Sequence, residues 1–171
     1  GGLFEGVAFE SAERGFTLDG KANNTGEIVN TLKNVSFKNI DTPIFASIGN
    51  TDQSIRVFNI EGNVTSENYT AFTEDERVKF VLTATDATLQ AQEGLNVTVS
   101  EELAARYEVD YVGGTYKAVE KQNVKNITNG ETYPTLAEAI AAASANANAN
   151  DVLVLLKDIT ENVTINKNLT I

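Results

Sequence analysis

Cysteine, methionine, tryptophan and histidine are missing from this chain altogether. Without cysteine there can be no disulfide and no thiolate metal site, so stability has to come from packing and backbone ladders. Without histidine the chain lacks the commonest acid/base near neutral pH and the commonest metal ligand. The missing methionine is expected of a chain that starts at an internal or processed position. Basic residues are scarce: 13 Lys and Arg stand against 24 Asp and Glu, a formal net charge of -11. That balance argues against nucleic acid and against anionic membranes as partners. There is no run of about 18 apolar residues, so membrane insertion is not expected. No signal peptide is visible, as a mature fragment would have lost it. The 171 residues suffice for one or two compact domains.

What is present is best organised around residues 133–171, YPTLAEAIAAASANANANDVLVLLKDITENVTINKNLTI. Thr135 is placed to cap a helix, with Glu138 completing a capping box, and Pro134 discourages helix upstream. Leu136, Ala139, Ile140 and Ala143 form one narrow apolar stripe. Short apolar runs follow at 152–156, 163–165 and 169–171, separated by polar residues. Strands this short suit successive rungs of a coil, whose open end the helix would plug.

The run YPTLAEAIAAA…DVLVLLKDITENVTINKNLTI resembles the opening segment of right-handed parallel β-helix domains, the pectate-lyase-like fold, in large bacterial and archaeal surface proteins of adhesin-like type. Asn150 and Asp151 stand where Gly-Asp is usual in that pattern. The resemblance is looser over residues 16–64. It implies solenoid rungs behind a capping helix, and no particular activity, because the same scaffold carries lyases, hydrolases and inert stalks.

Earlier in the chain, residues 16–20, 32–40 and 55–64 each alternate and then turn, at Asp19-Gly20, Lys38-Asn39 and Glu61-Gly62-Asn63. These turns recur at roughly 19 and then 23 residues, a spacing that suits a solenoid. Phe37, Phe58 and Ile60 point inward on this reading, and so do Val152, Val154, Leu156, Val163, Ile165, Leu169 and Ile171. An antiparallel sandwich would also give short strands between turns. Tight two-residue hairpin signals are absent before residue 110, which favours the coil. The block at 76–122 reads instead as a small antiparallel β module. It has strands at 78–83, 87–91 and 95–99, a helical turn capped by Ser100, and a hairpin at Gly113-Gly114. The expected fold is therefore mostly β: β-helix rungs over 1–75, the antiparallel linker module over 76–122, and a capping helix with the first rungs of a second β-helix over 123–171.

Candidate chemistry is thin. A polysaccharide lyase would need clustered carboxylates holding Ca²⁺ and a basic Arg or Lys. The arginines are Arg14, Arg56, Arg77 and Arg106. Only Arg56 lies on an expected rung, and as a strand residue it reads as facing solvent. Asp19, Asp151 and Asp158 sit singly at strand edges, as turn residues do. Glu74-Asp75-Glu76 and Glu101-Glu102 lack the alternating oxygen pattern of a calcium loop and read as solvated edges. Tyr69, Phe72, Tyr107, Tyr111 and Tyr116 are candidates for sugar stacking, or else core and cross-strand pairs. The Ala-Asn run at 145–150 reads as a loop. Asn-x-Ser/Thr triplets begin at Asn23, Asn34, Asn63, Asn68, Asn96, Asn126, Asn162 and Asn168. They mark a possible glycoprotein, or follow from Asn in turns beside Thr in strands.

No catalytic, cofactor-binding or metal-binding residue is assigned, and no cofactor is expected. The sequence points to a non-enzymatic extracellular or cell-surface structural protein, an adhesin-like stalk or filament subunit. Both ends of the chain read as half-made rungs, so its partner would be a head-to-tail copy or a tandem repeat, with surface glycans as a further candidate ligand. The alternative is a polysaccharide-binding or polysaccharide-cleaving surface protein.

Overall fold

The computed structural model describes residues 1–20, 25–47, 51–144 and 150–171. Asn23 and residues 145–149 of the Ala-Asn run lie outside them. The chain divides into two compact units, Gly1–Val119 and Glu120–Ile171.

In the first unit the chain alternates between two sheets. One is a five-stranded sheet of order β1 (Leu3–Glu5), β3 (Glu27–Lys33), β5 (Ile55–Glu61), β7 (Val78–Leu82) and β9 (Val97–Val99). Its neighbours all run parallel. The other is a six-stranded sheet of β2 (Ala8–Asp19), β4 (Ser36–Ser47), β6 (Asn63–Glu67), β8 (Thr88–Gln90), β11 (Thr115–Glu120) and β10 (Tyr107–Val112). Here β2, β4, β6 and β8 are parallel, and β11 turns antiparallel to β8. The four-residue helix α1 (Glu101–Ala104) leads from the first sheet to the hairpin of β10 and β11. Gly113 and Gly114 make that two-residue turn with φ of 60° and 80°, a conformation that side chains resist.

The core lies between these two sheets. Leu32, Phe58, Ile60, Phe80 and Leu82 come from one, and Phe37, Ile40, Ile44, Val64 and Leu89 from the other. Phenylalanine rings run through it in edge and stacked contacts: Phe9 on Phe37 at 5.2 Å, Phe37 on Phe72 at 5.7 Å, Phe72 on Phe80 at 5.6 Å and Phe58 on Phe80 at 5.9 Å. Such pairs add about 0.5–1.5 kcal/mol each beyond their buried area. At the outer layer Phe4, Phe9 and Phe16 are only partly buried.

Two columns of left-handed residues hold the parallel strands in register. Gly6, Asn34 and Gly62 form one, with φ of 64°, 53° and 65°; Ser11, Asn39 and Asn68 form the other, with φ of 56°, 53° and 55°. The Asn34 Oδ1 accepts from the Asn63 backbone N–H at 3.0 Å, and the Asn68 Nδ2 donates to Asn39 Oδ1 at 2.9 Å. Asn tolerates this conformation better than other side chains do.

The second unit contains a four-stranded sheet of β13 (Thr132–Tyr133), β12 (Val124–Asn126), β14 (Asp151–Leu155) and β15 (Leu169–Thr170). β12 is antiparallel to both β13 and β14, and β14 is parallel to β15. Helix α2 (Leu136–Ala142) is capped by Thr135, whose side chain accepts from the Glu138 N–H. The Glu161 carboxylate takes the N–H groups of Leu136 and Ala137, and Lys167 Nζ donates to the carbonyls of Ala141 and Ala143, both at 2.7 Å. Acid at the start and base at the end both suit the helix dipole. Leu136, Ala139 and Ile140 are buried with Val124 and Leu153 in a small core.

Several expectations are overturned. The right-handed parallel β-helix is not what forms: the strands belong to separate sheets, two of them mixed, instead of the stacked rungs of a solenoid. The helix α2 consequently packs on a small mixed sheet and plugs no coil. Nor is the middle block a self-contained antiparallel module. Val78, Phe80 and Leu82 join the parallel sheet, and among the described residues the antiparallel pairing in that block involves β8 and the β10–β11 hairpin. In β14 the inward face is the opposite of the one expected. Leu153 is 1% exposed, whereas Val154 and Leu156 are 39% and 47% exposed, and Ile165 and Ile171 also lie open. A run of five apolar residues carries no parity signal, and a one-residue slip exchanges the two faces of a strand. Phe37, Phe58 and Ile60 are buried. No helix among the described residues is long and apolar enough to cross a membrane.

Candidate functional site

Among the described residues, a buried cluster of converging charges lies at the start of β5. Asp52, Ser54 and Arg56 are all buried. Alternation in an extended chain puts every second residue on one face, and Arg56 shares the inward parity of Phe58 and Ile60. The side chains of Arg56 and Asp52 are 4% and 1% exposed and meet at 2.9 Å. The expectation that Arg56 faces solvent is therefore wrong. The Asp52 carboxylate also accepts from the N–H and hydroxyl of Ser54. Arg56 donates further to the Asp19 carbonyl at 3.2 Å, which gives Asp19 a backbone role in place of a side-chain one.

Arg77 completes the cluster from the segment before β7. Its guanidinium donates to the Asp52 carbonyl at 2.6 Å and forks onto both oxygens of Asp75 at 3.0 and 2.8 Å. Two parallel bonds of this kind fix a carboxylate geometrically as well as energetically. The Arg77 side chain holds the Asp75 carboxyl below the ordinary aspartate value, against the opposing effect of burial. Asp75 reciprocally raises the Arg77 pKa.

Beside the cluster is an open concavity of about 560 Å³ lined by Ile44, Phe45, Ala46, Glu74, Asp75, Glu76 and Arg77. Arg14 stacks over the Phe45 ring, 3.6 Å from its centroid. The concavity's buried-side charges are engaged with one another and with backbone carbonyls. Chemically the cluster can clamp the turn ahead of β5 against the turn ahead of β7. Asp52, Ser54 and Arg77 were missed in the sequence. For Asp52 and Ser54 the signal was the same period-two spacing that marked Phe58 and Ile60, continued upstream through polar residues; Arg77, just ahead of β7 and out of parity with Val78 and Phe80, carried no such signal.

The other candidates disperse. Asp151 is buried and takes the Ser144 N–H at 3.0 Å and the Asn126 Nδ2 at 2.9 Å, two bonds that lower its pKa. Asp158 and Arg106 are exposed. Glu101 and Glu102 occupy the first turn of α1, where negative charge suits the dipole. Ser100 precedes that helix but makes no side-chain capping bond. Phe72 and Tyr116 are core residues, and Tyr69, Tyr111 and Val109 pack against that core. Tyr116 and Tyr111 pair at 4.6 Å, and their hydroxyls donate to the carbonyls of Gln92 and Ala91. Tyr107 is half-buried. Burial raises the Tyr69 pKa. Apart from Tyr107, these rings pack into or against the core of the first unit instead of forming an exposed flat face.

No protein-family model, curated protein or solved structure matches the chain.

Proposed function

We propose that this chain is a non-enzymatic structural protein of the extracellular space or cell surface, an adhesin-like stalk or self-assembling subunit. Its partner is a neighbouring copy or repeat that continues its sheet edges. The observation that carries this reading is the outer layer of the first unit. β1 and β2 are edge strands of their sheets, and Phe4, Phe9 and Phe16 behind them are only partly buried. Edge strands offer unpaired N–H and C=O groups to another chain. Ser11 on β2 repeats the left-handed kink of Asn39 and Asn68, so the outer edge offers a further strand the shape that the inner neighbours already accept. In the second unit β15 is also an edge, with Ile165 and Ile171 about half exposed.

Joining one copy's β15 region to another's β1 and β2 is a heterologous contact, which propagates into a filament unless it closes into a ring. The engagement of Arg56, Asp52, Arg77 and Asp75 with one another supports a bracing role for the charged cluster over a catalytic one. Light scattering against concentration tests the reading, with the double variant Ile165→Asp, Ile171→Asp as control. The parent mass should rise with concentration, and the variant should stay at monomer mass with an unchanged melting curve. A parent that stays monomeric at high concentration overturns it.

A further inference from the structure

The Asn-x-Ser/Thr triplets are not equivalent in the structure. Asn126 is fully buried. Its Nδ2 donates to Asp151, its Oδ1 accepts from the Thr128 N–H at 3.0 Å, and the Thr128 hydroxyl accepts from the Val152 N–H at 3.0 Å. Every polar group of that triplet's Asn and Thr side chains is engaged. Asn34, Asn63 and Asn68 are exposed, but Asn34 and Asn68 belong to the left-handed columns and Asn63 opens β6 beside the first of them. Asn34 lies over Gly62, Asn63 Oδ1 accepts from the Thr88 hydroxyl at 2.9 Å, and Asn68 binds Asn39. Asn168 is engaged as well and its triplet runs into β15.

Asn96 and Asn162 differ from these. Asn96 is exposed in the turn segment just ahead of β9, and Thr98 two residues on is exposed. Asn162 and Thr164 are exposed in the irregular stretch between β14 and β15, with Val163 between them packed into the small core. In both triplets the Asn and the Thr are exposed together while the middle residue, Val97 or Val163, packs against a core. That is the presentation a transferase needs to reach both groups of the acceptor.

We propose that Asn96 and Asn162 are acceptors for an N-linked oligosaccharide, and that Asn34, Asn63, Asn68 and Asn126 are structural. The proposal rests on the reading of the chain as an exported protein. The donor is a polyprenyl-pyrophosphate-linked oligosaccharide. The Asn Nδ2 attacks the anomeric carbon, the carbon–oxygen bond to the pyrophosphate breaks, and the polyprenyl pyrophosphate leaves. The Nδ2 proton passes to a base of the transferase. Two glycans so placed would hydrate the surface beside β9 and the loop before β15 without touching the asparagine columns.

The test is to incubate the folded full chain, and separately the urea-unfolded chain after dilution, with a single-subunit oligosaccharyltransferase that accepts the bare triplet, and to map glycopeptides by mass. The folded chain should be modified at Asn96 and Asn162. N96Q and N162Q should each remove one glycan, and the double variant both, with unchanged melting. The unfolded chain should gain further sites, Asn126 among them. Modification of the unfolded but not the folded chain at Asn96 and Asn162 overturns the proposal, and so does glycan on Asn126 in protein that keeps the parent melting curve. Assembly is read from mass against concentration, so either reading can fail while the other stands.

Discussion

The Asp52 carboxylate and the Arg56 guanidinium meet at 2.9 Å with both side chains almost wholly removed from solvent. A pair this deep is held by its own geometry, because each charge left alone would bear the full cost of its desolvation. Removing one partner from such a pair costs about 3–5 kcal/mol, whereas replacing both by apolar residues of similar volume is often neutral. Arg56→Ala and Asp52→Ala should therefore each lower the urea midpoint sharply, and Asp52→Leu with Arg56→Met should recover most of the loss. Single variants that unfold at the parent midpoint would show that the cluster is no brace.

The two faces of β14 give a second, sharper contrast. Leu153→Ala should cost about 2–5 kcal/mol, as deletion of a buried leucine does. Val154→Ala should stay within about 0.5 kcal/mol, as surface changes do. Chemical denaturation of the two variants side by side measures both. Equal costs would contradict the face assignment.

Gly62 is constrained twice. Its φ is +65°, and an added Cβ would lie 2.3 Å from Asn34 Oδ1. Gly6 has a similar φ, but nothing lies within 4 Å of its Cβ position. The left-handed backbone alone costs a side chain about 1–2 kcal/mol. Gly62→Ala should therefore destabilise more than Gly6→Ala, and Asn34→Ala should narrow the gap by removing the obstructing oxygen. Thermal melts of the three variants check this ordering.

Asp75 and Asp151 both have lowered pKa values, the first held down chiefly by Arg77 and the second by the Ser144 N–H and Asn126. A depressed carboxylate stabilises the fold fully above its unfolded pKa, the ordinary aspartate value of about 3.9. The contribution is lost as pH falls through the lower folded value, because the unfolded chain takes up the proton first. Stability should thus be flat near neutral pH with respect to these groups and decline below about pH 4. Asp75→Asn and Asp151→Asn should each flatten part of the acid decline, measured as midpoint against pH.

Most of β3 and the first half of β2 were not read as strands, and β1 only as a half-made rung. The inward positions of β5 and β7, and Phe37 on β4, were legible in the sequence, because alternation marks a half-buried strand directly. Their register was not. The expected period joined Lys38-Asn39 to Glu61-Gly62-Asn63, which lie at different corners of the fold. In the structure Asn34 matches Gly62, and Asn39 matches Asn68 at a separation of 29 residues. Arg56 was misread because charge was weighed above parity, although Phe58 and Ile60 on the same strand already fixed the inward face. The run VLVLL marks a strand but neither its inward face nor its partner, so the mixed pairing of β14 emerges only from tertiary contacts. Nothing within the Asn126 triplet sets it apart from the others, because its buried partner, Asp151, lies 25 residues away.

The central claim is that the edge strands are continued by another copy or repeat, and hydrogen exchange at those strands tests it most directly. Backbone amides of Ala8–Asp19 on β2 and Leu169–Thr170 on β15 should be followed by mass spectrometry over a rising protein concentration. If copies join edge to edge, protection of both segments should rise together, while the already paired β5 stays constant. Exchange in both segments that is fast and independent of concentration would contradict the account.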